Sequence, residues 1–145
     1  ALGRPAAGDA LVAALEARLA AVEHALEASG APRPRVALVE WTSPVFLAGH
    51  WGPELIARAG GVDVLATAGE HSTTVTHGAL AAADPEAVLI APCGYDLARA
   101  AAEARALGDV SRPGPRLVEG VEVLARVLHP ALFGEPDGRS AVRVG

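Results

Sequence analysis

The chain has 145 residues, 51% of them hydrophobic and 20% charged, and a net charge of −5. That is enough apolar material for one core, too little length for two full domains, and the opposite of the low hydrophobicity that keeps a chain disordered. The acidic balance argues against a nucleic-acid partner, which needs a clustered basic face, and no stretch is long and apolar enough to span a bilayer.

The chain opens on Ala1 with no signal-peptide pattern, and Cys93, the single cysteine, precludes an internal disulfide. Leu11, Leu15, Leu19, Val22 and Leu26 recur at helical steps and define one apolar stripe. The spacing predicts a helix over about residues 5 to 29, opened near Pro5 or Asp9 and capped by Gly30. Such a stripe expects a partner surface. Ala31 to Pro34 then form a stiff connector. Val36 to Val39 reads as a buried parallel strand that stops at Glu40, Trp41, Thr42, Ser43 and Pro44. Gly52 and Pro53 open a short helix that Gly60-Gly61 closes. Val62 to Leu65 is a second strand, and a polar loop runs from Gly69 to Thr74. Thr76 caps a short helix that ends before Asp84-Pro85. Ala87 to Ala91 is a third strand. Asp96 opens a helix to about Leu107, Gly108 to Gly114 is a loop, and Pro115 starts a last helix with Leu117, Val121, Leu124 and Leu128 on one face. His129-Pro130 ends that helix, and Ala141 to Val144 has the composition of an edge strand.

Strands alternating with helices imply an α/β lobe: a three-layer sandwich with a short parallel sheet, preceded by a long helix. Ligands of such sheets collect beyond the carboxyl ends of the strands. The loops there hold Trp41, Phe46, His50, Trp51, His71, Ser72, Cys93 and Tyr95. Aromatic side chains in a crevice suit a large, flat, partly apolar ligand. The imidazoles of His50 and His71 suit a cobalt or iron centre; the alternative is a loop histidine bonded to backbone. Nothing in the spacing of His71, His77 and Cys93 defines a dedicated metal site, and no cofactor is expected. Cys93 with His71 and Asp96 would supply the nucleophile, base and orienter of a cysteine-dependent hydrolase or transferase. No nucleophile elbow or cysteine-hydrolase signature accompanies them, so the expectation is a binding protein and not an enzyme.

The segments VALVEWTSPVFLAGHW (36–51), PELIARAGG (53–61), GEHS (69–72), AADP (82–85), APCGYD (91–96) and RPGPRL (112–117) resemble, in this order, the cobalamin-binding proteins of ABC importers. Their wider class is the helical-backbone metal receptors, which bind corrinoids, haems and iron-siderophores. The resemblance implies two α/β lobes joined by a rigid helix, with the ligand held between them. Residues 1–30 would be that inter-lobe helix and residues 31–145 the C-terminal lobe, with an N-terminal lobe missing upstream. A corrinoid such as cobalamin is the ligand it implies first, ahead of haem or a ferric siderophore. It also implies an ABC permease as partner and an extracytoplasmic location, periplasmic or lipid-anchored. Two departures stand out. Family members carry a permease-docking glutamate where this chain has Gly78, followed by Ala79. They also have a longer segment where this chain has only Gly108 to Ser111. A cytosolic corrinoid carrier without a permease is the alternative that Gly78 favours.

Overall fold

The structure, a computed structural model, describes residues 4–94 and 116–137. Tyr95, the helix expected from Asp96, the loop to Gly114, Pro115 and the edge strand expected at Ala141 to Val144 lie outside the described residues.

The first helix, α1 (Pro5–Ser29), opens on the ring of Pro5, whose missing amide proton costs nothing at that position. It closes on Gly30 at φ 60°, where the Gly30 amide donates to the Glu27 carbonyl. The helix has two characters. Val22 is buried, and Leu19 and Leu26 pack on the main core, whereas Leu11 and Val12 are 52% and 53% exposed. The stripe therefore finds half of its partner within this lobe. Arg18 clamps that half to the last long helix, α4 (Arg116–Leu128), through two hydrogen bonds to Glu122 at 2.8 and 2.7 Å.

The sheet is built around β1 (Arg35–Thr42). It pairs in parallel with β5 (Ala87–Ile90) on one edge and with the short β3 (Val62–Asp63) on the other. Further along, the same edge pairs antiparallel with β2 (Val45–Leu47), which in turn pairs antiparallel with β4 (Thr74–Val75). The sheet is thus small and mixed, with five strands among the described residues where three parallel ones are expected from the apolar runs. The correction lies at Glu40 to Pro44. β1 runs on to Thr42, and Ser43-Pro44 is the tip of a hairpin, a place where a missing backbone donor is tolerated. The second expected strand is also shorter than Val62 to Leu65. Asp63 Oδ1 accepts from the Leu65 and Ala66 amides at 2.9 and 2.8 Å, turning the chain out of the ladder.

Alternation along β1 divides the core. Val36 and Leu38 face α2 (Gly52–Arg58), α4 and the second half of α1, together with Ile56, Leu89, Val121 and Leu124. Val39 faces the other way, joining Val45, Leu47 and Leu80 of α3 (His77–Ala82). Thr76 caps α3, accepting from the Ala79 amide at 3.0 Å. His129 is buried at the end of α4 with its Nε2 3.2 Å from the Gly60 carbonyl, and a single turn, α5 (Pro130–Phe133), follows.

Candidate functional site

The sheet opens, beyond the carboxyl end of β1 and β5, into a cleft of about 410 Å³. Its buried lining is Leu38, Ala48, Gly49, Gly52 and Ala91, and its exposed lining is His50, His71 and Cys93. Phe46, Trp51, Ser72 and Glu40 complete it, each partly buried. Six of the eight residues singled out from sequence therefore share one cleft: Phe46, His50, Trp51, His71, Ser72 and Cys93. Trp41 is not among the lining residues. It stands opposite Phe46 in the hairpin ladder and is 36% exposed. Tyr95 lies outside the described residues.

Glu40 is the residue that sequence reasoning missed as part of the site, because it was read as the end of a strand. The ladder passes from Val39↔Leu47 directly to Trp41↔Phe46, so Glu40 is the extra residue of a β-bulge. Bulges bend a strand and re-aim a side chain, and here the result is a carboxyl group in the cleft. Burial pushes the Glu40 carboxyl above its ordinary value, while the hydrogen bond from Ser72 and the nearby His50 pull it back. Ser72 does two things, since its Oγ also accepts from the Gly49 amide at 3.0 Å.

That bond belongs to a seam joining the loop after β2 to the loop before β4. The Leu47 amide donates to Thr73 O at 2.8 Å, the His50 amide to Glu70 O at 2.6 Å, and the Gly69 amide to His50 O at 2.8 Å. The two loops approach so closely at Gly49 that a Cβ there would lie 2.5 Å from Ser72 N and 2.6 Å from Glu70 O, both backbone atoms. Only glycine fits. His50 itself sits at φ 54°, a left-handed conformation that side chains seldom adopt, fixed by seam bonds on both sides. Its ring centroid is 5.2 Å from that of His71, edge to face, and 5.8 Å from that of Trp51. Three polar-edged rings thus crowd one lip of the cleft over a carboxyl and a hydroxyl.

Cys93 is a free, exposed cysteine on the cleft. Its proposed orienter Asp96 lies outside the described residues. Among the described residues no group of three or more His, Cys, Asp or Glu is placed to hold a metal ion, and no helix is long and apolar enough to cross a membrane.

No protein-family model and no curated protein matches the sequence. Solved structures do. Over 99% of its length the chain is similar to 62% of a periplasmic heme-binding protein from Pseudomonas aeruginosa, at 25% identity and TM-score 0.75. It is 31% identical, over 87% of its length, to 56% of the periplasmic heme-binding protein BhuT, described in complex with two hemes, at TM-score 0.62. The vitamin B12 binding protein BtuF of Vibrio cholerae matches 89% of the chain with 56% of its own length, at TM-score 0.66 and 17% identity, which speaks for the fold. The chain spans between half and two thirds of each of these neighbours. Its fold is that of a lobe of a periplasmic binding protein with the long helix that precedes it. The same fold is shared, at 14% identity and TM-score 0.67, with a TroA-like periplasmic binding protein from Veillonella parvula.

Proposed function

We propose that this chain is the C-terminal lobe and inter-lobe helix of an extracytoplasmic receptor that captures a metal-centred tetrapyrrole for an ABC importer. One observation carries the reading: Trp51, His50 and His71 form a ring-lined lip on the cleft at the carboxyl end of the sheet. A flat macrocycle is the ligand class that aromatic and imidazole faces cover best. Haem is the first choice, because the neighbours at 25% and 31% identity are heme-binding proteins. A corrinoid is the second, favoured by the Glu40–Ser72 pair in the cleft, which offers an acceptor and a hydroxyl to peripheral amides. The ligand would lie between this lobe and a first lobe joined through α1, whose exposed Leu11 and Val12 are then the contact between lobes. Gly78, on the exposed helix α3, leaves permease docking to other residues of the receptor.

The test is a titration of the full-length receptor with ferric haem, cyanocobalamin and a ferric hydroxamate, read by tryptophan quenching. We expect haem to bind with Kd on the order of 1 μM or tighter. Tight binding of cyanocobalamin alone would move the assignment to the second reading. A receptor that takes none of the three, and turns over an ester or amide in a Cys93-dependent way, would end the transport reading.

A further inference from the structure

Resting on that reading, we infer that Glu40 is the specificity-determining residue of this wall, favouring a macrocycle edged with amides over one edged with carboxylates. The first observation is one of charge. Among the described residues the cleft lining holds no arginine, and the chain has no lysine at all, so this wall offers no permanent cation. Its one carboxyl is that of Glu40. The other titratable groups facing the cleft are His50 on the loop after β2, His71 on the loop before β4 and Cys93 after β5, all exposed. Glu70 is exposed on the same loop as His71 and does not line the cleft.

The second observation is that the carboxyl is held where it is. Glu40 is the extra residue between Val39↔Leu47 and Trp41↔Phe46, so strand register sets its direction and loop freedom does not. Ser72 fixes it further. Its Oγ accepts from the Gly49 amide at 3.0 Å, which turns its own hydrogen toward Glu40. A hydroxyl has one hydrogen to give, so the remaining acceptor capacity of the carboxylate is open to a ligand. An amide-edged macrocycle brings N–H donors, and a bond from such a donor to a carboxylate is about twice as strong as a neutral one. A carboxylate-edged macrocycle brings a second negative charge into a cleft partly screened from water, where like charges repel more strongly than in bulk solvent. It must take up a proton from solvent or turn its edge away from this wall. The burial that lifts the Glu40 carboxyl above its ordinary value works in the same sense, since it removes water from the carboxylate and supplies no cation.

Glu40→Gln separates this from a structural role, because it keeps the shape and an oxygen for the Ser72 hydroxyl while removing the charge. In the full-length receptor at neutral pH, read by tryptophan quenching, the variant should bind ferric haem at least about threefold more tightly than the wild type. It should bind cyanocobalamin at least about threefold more weakly. The dimethyl ester of ferric haem has the same ring and no carboxylate, and its affinity should be the same in both proteins. Glu40→Ala should favour haem over its ester in the same direction, which guards against an effect of the glutamine itself. If the receptor takes only haem or only cyanocobalamin, the sign of the change for that one decides. Should haem and its ester gain equally, or haem and cyanocobalamin weaken together, Glu40 acts on the ring or the fold, and the inference is overturned while the receptor reading stands. Unchanged affinities overturn it as well. If the wild type binds none of the three, both fall.

Discussion

Glu40 and Gly49 show how two residues with opposite chemistry make one cleft. Gly49 contributes nothing but the lack of a side chain, and backbone atoms close in on it from the facing loop. Gly49→Ala should force the seam apart, destabilise the lobe by about 1–3 kcal/mol, and weaken haem binding by the full receptor, as denaturant midpoints and titration would show. Unchanged stability would mean that the seam is looser than its hydrogen bonds suggest. Glu40 contributes a carboxyl whose native environment favours the protonated form. Asp63 is shifted in the same direction, by burial against the pull of the Ala66, Leu65 and Leu38 amides. The sign follows from linkage. Between the ordinary carboxyl value and the raised one, the folded chain holds more protons than the unfolded chain, so stability falls as pH rises through that window. Glu40→Gln should make that fall shallower, with Asp63 sustaining the rest. A denaturation midpoint whose pH slope is the same in variant and wild type would remove Glu40 from the account. Neither residue was legible as part of the site from sequence. Glycine in a loop is common, and a bulge depends on the partner strand's register, which no local pattern records.

The elements divide in the same way between what local pattern reveals and what tertiary pairing decides. α1, α2, the Thr76-capped α3, β5 and α4 follow from helical spacing, caps and bounded apolar runs, and each stands where those signals put it. The hairpin of β1 and β2 does not. Ser43-Pro44 is a chain breaker in isolation, yet Val39 and Val45 to Leu47 bury a second core that makes the turn worthwhile. Its formation carries Phe46 to the cleft and leaves Trp41 beside it. The helix α1 tests the division of its own stripe. Leu124→Ala, in a fully buried position that supports the packed half, should cost about 2–5 kcal/mol in this chain. Leu11→Glu, on the exposed half, should change stability by no more than about 0.5 kcal/mol here. In the full receptor Leu11→Glu should instead lower the melting temperature, because it would place a charge in the contact between lobes. A stability loss from Leu11→Glu in this chain alone would show that the half is already covered.

At the scale of the molecule, this chain covers 62% of its Pseudomonas aeruginosa neighbour, and its cleft is one wall of the site the proposal describes. A ligand that loses its translational and rotational freedom sacrifices about 4–15 kcal/mol whether one wall or two receive it. The isolated chain should therefore bind haem at least tenfold more weakly than the full receptor, measured by the same quenching titration. Equal affinity would mean that one lobe suffices. The wall itself is held together in a particular way: three of the bonds across its seam join backbone to backbone, and Ser72 is the one side chain that the described bonds sew into it. Main-chain bonds are indifferent to the side chains they carry. Phe46 and His71 are thus free to be exchanged without unmaking the surface they stand on, while Gly49 is not and His50 is restricted by its φ of 54°. A lineage could retune its cargo by substituting lip residues on an unaltered frame, and a designer wishing to redirect the receptor has the same two positions to vary.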